Sequence, residues 1–312
     1  MTFHVSRLTP RDFAIRSKLW SFIKLTRPFF LLAGFALHAL GIAAALAQGA
    51  AFRPNAALLG QLLITSVQLM THYVNEHYDL EVDKLIAHSR TLFTGGSGVL
   101  PGGSLSPVAA STAAQLFAMV GAVAVLAVGR LSPAASVIGA VALAGGWAYS
   151  APPWRWVSTG WGELAASLIV AFLTPLTGFV LQTRESALPL IAACVPLVLL
   201  HMAMVLAFEL PDYEGDRAAG KLTLTVRLGR SRAAALHNTM IIAALLLTLG
   251  YSIQWPAARW GLLAAPLALW QIVSIRRAQG NPKQRPVLVL GAVCLLALSA
   301  TLWLAGFVTA PI

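Results

Sequence analysis

Nine apolar stretches recur along this sequence, at 28–46, 56–73, 107–128, 132–149, 164–181, 188–210, 233–253, 257–273 and 287–308. Crossing a hydrocarbon core of ~30 Å takes about 20 helical residues. In lipid every backbone N–H and C=O must be satisfied within the protein, so such segments fold as helices. The eighth stretch is the shortest, interrupted by Arg259 and Pro266. Only 11% of the 312 residues are charged and mean hydropathy is +0.75. A soluble domain carries about 25% charged residues, so this chain has too little polar surface to face water. The expected fold class is all-α, a polytopic membrane protein of nine transmembrane helices, with 1–312 forming a single membrane-embedded domain.

Orientation is expected from Lys and Arg, which favour the cytoplasmic side. With the N-terminus inside, 18 of the 22 basic residues fall on the cytoplasmic side and only Arg53, Arg130, Arg184 and Arg259 outside. Nine spans then put the C-terminus outside, in the cell membrane, with residues 1–25 as a cytoplasmic N-terminal segment. That segment is unlike the short basic region of a cleavable signal, so the first span is expected to be retained. The net charge of +11 calls for no nucleic acid, because topology and anionic headgroups account for basic loops. Cys194 and Cys294 lie inside expected spans, with neither CxxC nor Cys/His ligand spacing. No obligatory protein partner is evident.

The chemistry is concentrated in the acids. Eight of the 11 fall in two short clusters, Glu76, Asp79, Glu81 and Asp83, then Glu209, Asp212, Glu214 and Asp216. Asn75, Asp79 and Asp83 are four apart, one face of a helix; Glu209, Asp212 and Asp216 also share a face. Acids at a helix C-terminus oppose its dipole, and like charges one turn apart repel by a few tenths of a kcal/mol. Carboxylates and an amide, without a thiolate, suit a hard cation, and magnesium binds through a few carboxylates plus substrate phosphates. Mg2+ with a diphosphate is the inference. Pro211 is expected to kink the sixth span or start a new helix. Solvated loop acids and a cation- or proton-coupled transporter are the competing readings; the gathering of acids at one face of the membrane, away from its midplane, weighs against the transporter.

These residues resemble the UbiA superfamily of intramembrane prenyltransferases. The resemblance rests on Asn75-x-x-x-Asp79-x-x-x-Asp83, on Asp212-x-x-x-Asp216 followed by Gly220-Lys221 and Arg227-Leu-Gly229, and on Tyr149-Ser150-Ala-Pro-Pro153. Thr26-Arg27-Pro28 and Gly162-Glu163 add to it. It implies helices around a central cavity, with both motifs facing across it. Asn75, Asp79, Asp83, Asp212 and Asp216 would be the metal residues, the four aspartates the catalytic ones. Arg27, Lys84, Tyr149, Ser150 and Lys221, with Asn75, would contact substrate. The implied partners are a prenyl diphosphate and an aromatic, quinone-precursor-like acceptor. Glu209 and Pro211 depart from the family pattern, and the glycine-rich 94–101 stretch resembles members of the dihydroxynaphthoate, menaquinone-pathway type.

The resemblance implies electrophilic alkylation through an allylic cation, which aromatic faces stabilise. Tyr73, Phe172, Phe208 and Tyr213 are candidates by position. Gln68 and His201 lie on the same faces as the acidic motifs, deeper in the membrane, where polar groups are functional suspects. A satisfied interhelical hydrogen bond is the ordinary alternative for each.

Overall fold

The computed structural model describes residues 10–87, 90, 91 and 93–310. Among these the chain is all helical. Its elements are α1 (Pro10–Leu25), α2 (Pro28–Ala47), α3 (Pro54–Tyr78), α4 (Leu80–Leu85), α5 (Pro107–Gly129), α6 (Pro133–Ser150), α7 (Gly162–Gln182), α8 (Leu188–Ala218), α9 (Leu224–Leu228), α10 (Arg230–Gln254), α11 (Ala258–Gln279) and α12 (Arg285–Thr309).

Local sequence sets the helix starts. Proline occupies the first turn of α2, α3, α5, α6, α8 and α12, where its missing N–H costs nothing. The Ser106 and Ser132 hydroxyls accept from the backbone N–H groups of Ala109 and Ala135, capping α5 and α6 at 3.3 Å each. Large apolar side chains point outward, with Leu58 70%, Leu126 72% and Ile253 85% exposed, as a lipid-facing surface requires. Inside, Leu40, Phe179, Leu197, Ile241, Trp303 and Phe307 join α2, α7, α8, α10 and α12 in one core.

Among the described residues seven helices are long and apolar enough to cross a membrane: α2, α5, α7, α8, α10, α11 and α12. The expected second and fourth spans do form helices, α3 of 25 residues and α6 of 18, but neither is among the seven, so the count of nine is not confirmed. In α3 the reason is visible, since Gln61, Gln68, His72, Asn75 and Glu76 dilute its apolar face. The expected N-terminal segment is helical over α1, and its residues 1–9 lie outside the described residues. Pro211 starts no new helix; α8 runs unbroken through Pro196 and Pro211 to Ala218.

Two features shape the interior. Within α7, Ile169–Leu173 forms a wider π-type turn just before Pro175, and Thr174 Oγ1 donates to the Ile169 carbonyl at 3.0 Å. Where α2 crosses α7 the backbones nearly touch. A Cβ on Gly41 would lie 1.8 Å from the Pro175 carbonyl oxygen, and one on Gly178 2.4 Å from that of His38. Small residues at a helix crossing permit this approach. Gly41→Val should therefore push α2 off α7 and destabilise the protein by about 1–3 kcal/mol. A thermal unfolding scan in detergent should show a clear fall in Tm, and an unchanged Tm would refute the contact.

Candidate active site

The first acidic cluster sits where α3 passes into α4. Asp79 takes a junction conformation (φ −94°, ψ 5°), yet the helical spacing survives. Asp79 N–H donates to the Asn75 carbonyl (2.9 Å) and Asp83 N–H to that of Asp79 (2.8 Å). The Asn75 amide donates to Asp79 Oδ2 at 2.8 Å and to Ser150 Oγ at 3.2 Å. The second cluster comes from the end of α8, where Asp212 and Asp216 are buried on the same face. Gly220, at φ +71°, turns the chain, and Lys221 N–H bonds back to the Asp216 carbonyl at 2.8 Å. Its side chain then crosses to the first cluster, placing Nζ 2.9 Å from Asp79 Oδ2.

All four aspartates line one cavity of about 600 Å³. Arg27, Asn75, Tyr149, Lys221, Gln68, His201 and Glu209 line it with them. Ser150 is fully buried behind the lining and reaches the site through Asn75. Lys84 turns away, pairing with exposed Glu81 at 2.7 Å. Of the aromatic candidates only Phe208 faces the cavity. Tyr73 packs between Phe22 and Phe117, Phe172 joins the core, and Tyr213 lies 4.7 Å under Arg230.

Several residues do more in the site than the sequence expectations assigned to them. Arg155 approaches Asp79 Oδ1 at 3.5 Å. Glu76, almost fully buried, takes the Arg27 Nε–H at 2.9 Å, while Ser97 N–H (2.7 Å) and Ser97 Oγ (2.8 Å) donate to its carboxylate. Arg27 also donates to Asn75 Oδ1 at 3.2 Å. Glu76 thus ties the entry to α2 and the glycine-rich loop to α3. That loop sits on the acids, since a Cβ on Gly96 (φ +69°) would lie 2.0 Å from Asp83 Oδ2. On the other side, Glu163 accepts from Leu224 N–H (2.7 Å) and Glu209 from Thr225 N–H (3.1 Å), fixing the segment that carries Lys221. Phe30, Phe93 and Phe208 form an aromatic cluster on the cavity, the latter two stacked with centroids 6.4 Å apart. The signal for Glu76 and Glu163 was their rarity, since any acid in so acid-poor a chain is a candidate.

Arg27 (φ 50°) and Arg155 (φ 40°) are the non-glycine residues with left-handed backbones among those described. Both guanidiniums reach the acidic clusters, and such strain collects at functional sites because surrounding contacts sustain it.

Burial opposes the charge of Lys221, but Asp79 and Asp216 outweigh it and hold its pKa above the ordinary lysine value. For Arg27 likewise, burial is outweighed by Glu76, Asp83 and Asp79. Burial raises the Asp83 carboxyl to about 7, against the pull of Arg27, with Glu76 and Asp79 pushing further upward. Among the described residues no three His, Cys, Asp or Glu side chains are already gathered as a metal site. The donors nonetheless fit magnesium. Asp83 Oδ2 and Asp216 Oδ1 are buried without a hydrogen-bond partner, and Asp79 Oδ1 has only its long ionic contact with Arg155. Such hard oxygens, shared between two motifs, suit a cation that completes its shell with phosphate.

The raised pKa of Asp83 has a sign that can be tested. An Asp with a higher pKa folded than unfolded binds more protons when folded, so its contribution falls as pH rises between about 4 and about 7. Asp83→Asn should thus stabilise the protein most above pH 7, and the gain should vanish below about pH 4. Thermal unfolding of both proteins across that range checks it; a gain independent of pH would contradict the burial argument.

Comparison with known proteins follows the same lines. The UbiA prenyltransferase family profile matches residues 35–288. The 1,4-dihydroxy-2-naphthoate octaprenyltransferase of Mycobacterium tuberculosis is 32% identical over 184 residues, 59% of this chain and 63% of that protein. Its Mycobacterium leprae counterpart is 31% identical over 65% of this chain and 71% of its own. The Bacillus subtilis protein of that name is 26% identical over 80% and 78%. A UbiA homolog from Archaeoglobus fulgidus, bound to GPP and Mg2+, superposes with a TM-score of 0.64 at 18% identity, covering 92% of this chain and 99% of that one. A digeranylgeranylglyceryl phosphate synthase structure gives 0.65 at 16%, over 93% and 99%. At such identities the structural likeness speaks for the fold.

Proposed function

This chain belongs to the UbiA prenyltransferase family, and we propose that it transfers a prenyl group from an allylic prenyl diphosphate to a hydroxylated aromatic, quinone-precursor-like acceptor within the membrane. The observation that carries the reading is the meeting of Asp79, Asp83, Asp212 and Asp216 at one end of a largely apolar cavity, with Lys221 spanning the two motifs. Acids gathered around one cavity favour an enzyme over a transporter. The naphthoate acceptors named for the curated relatives support a bicyclic diol as co-substrate.

The residues divide the work. Asn75 and the four aspartates would hold Mg2+, which when bound neutralises charge growing on the diphosphate as it leaves. Lys221, Arg27 and Arg155 add fixed positive charge around the same oxygens, and Tyr149 lies at the same end of the cavity. Transition-state charge is stabilised most by groups already oriented before reaction. Glu76, Ser150, Glu163 and Glu209 supply that orientation by holding Arg27, Asn75 and the Lys221 segment. Phe30, Phe93 and Phe208 offer π faces to an allylic cation. The loop at Gly95, Gly96 and Ser97 shields the site from water.

Asp79→Asn and Asp212→Asn should each lower turnover by roughly 10²–10³-fold without loss of the folded protein, whereas Glu81→Gln, 80% exposed at the side chain, should stay within about two-fold. Product assays by mass, with prenyl diphosphate and a naphthalenediol acceptor, check this, and activity should vanish with chelator and return with Mg2+. Wild-type rates in both aspartate variants would refute the proposal.

The basic residues support a site on the cytoplasmic side. Single cysteines at Lys84 and Arg130 should label from opposite faces of the membrane, the first from inside. Labelling of both from one face would reverse the orientation.

A further inference from the structure

Away from the acids, the cavity's polar side chains have spent their protons. The hydroxyls of Thr71, Thr174 and Thr177 donate to the carbonyls of Val67 (2.8 Å), Ile169 (3.0 Å) and Leu173 (2.8 Å). Gln68 faces the Phe30 carbonyl at 3.0 Å, and since a carbonyl only accepts, its amide nitrogen stands there and Oε1 is left a bare acceptor. The same logic fixes His201. Ser167 gives its single proton to the Glu163 carbonyl at 2.6 Å, so in its 2.9 Å contact with His201 the hydroxyl must accept and Nδ1 must carry the proton. A neutral imidazole so held has a lone pair on Nε2, and no described residue hydrogen-bonds that atom. His201 lines the cavity on the same face of α8 as Asp212, about 16 Å farther along the axis at 1.5 Å per residue.

The cavity is therefore divided by hydrogen-bond polarity. Arg27, Asn75 and Lys221 bring donors to the acidic end, where phosphate oxygens accept; toward the other end His201 Nε2 offers an acceptor. We propose that His201, locked in its tautomer by Ser167, is the specificity residue that recognises the hydroxyl of the aromatic co-substrate through a hydrogen bond accepted by Nε2. This rests on the reading of the site as a prenyltransferase with an aromatic acceptor. The separation along α8 accommodates a diphosphate, the allylic carbon and an aromatic ring end to end. The hydrogen bond orients the ring and draws the O–H bond toward the imidazole, enriching the ring carbon that attacks. A carbonyl or ether oxygen in place of the hydroxyl meets lone pair against lone pair, and leaving buried polar groups unpaired discriminates more strongly than lost apolar contact.

The test compares binding of 1,4-naphthalenediol with its dimethyl ether, under reducing conditions, by quenching of intrinsic fluorescence in nanodiscs. Wild type should prefer the diol at least ten-fold. His201→Asn keeps a donor toward Ser167 but has nothing at the Nε2 position. It should cut the preference to within about three-fold while Mg2+-dependent binding of geranyl diphosphate stays unchanged. Ser167→Ala, which leaves the ring but frees its tautomer, should also lower the preference. Equal binding of diol and ether by wild type, which requires no variant to fold, would overturn the assignment, as would a full preference in His201→Asn. Loss of Mg2+-dependent geranyl diphosphate binding in wild type would instead sink the prenyltransferase reading, so the two failures are distinct.

Discussion

The cost of burying carboxylates beside lipid organises this structure. Among the described residues Glu76, Asp79, Asp83, Glu163, Asp212 and Asp216 are all buried. An isolated buried charge is so unfavourable that it is paired, hydrogen-bonded or neutralised. Each device is present. Glu76 is paired with Arg27 and hydrogen-bonded by Ser97, Asp79 faces Lys221 and Arg155, Glu163 takes a backbone N–H, and Asp83 is pushed toward protonation. The loops bearing these partners are placed by the acids as much as the acids by the helices.

The same requirement accounts for the unusual backbone. Arg27 and Arg155 hold left-handed conformations that a side chain ordinarily avoids, and both reach the buried acids. Gly96 admits the loop to Asp83 where any Cβ would collide. Charge compensation here costs local strain, which a strongly packed apolar bundle can sustain.

Much of this was legible in the sequence. Long apolar runs dictated helices, and the two acidic clusters in an acid-poor chain marked one end of the cavity. Asn75, Asp79 and Asp83 kept their common face even though α3 ends before Asp79, because the hydrogen bonds continue across the junction. The count of spans was less legible, since an apolar run does not say whether its polar interruptions face neighbours or lipid; α3 carries Gln61, Gln68 and His72 within its run and still packs as a helix. Of the two outcomes expected at Pro211 no new helix forms, its buried ring lying inside the continuous α8. Arg155, Ser97 and Phe93 were hidden for a different reason. Their roles depend on loop paths, which no periodicity encodes. Lys84 illustrates the converse, a basic residue next to a motif whose helix face turns it outward to Glu81.

The spacing of the charge partners along the chain has a consequence for how the protein is made. Arg27 and Glu76 are 49 residues apart, so both members of that pair are synthesised early. Asp79 has no such early partner: Arg155 follows 76 residues later and Lys221, its near contact, 142 residues later. Until the chain has turned at Gly220, Asp79 lacks its near cationic partner and has only the Asn75 amide and the longer Arg155 contact. The ion pairing at the acidic end of the cavity is therefore completed late and in one direction, since a chain that stops before Lys221 lacks the nearest cation of Asp79.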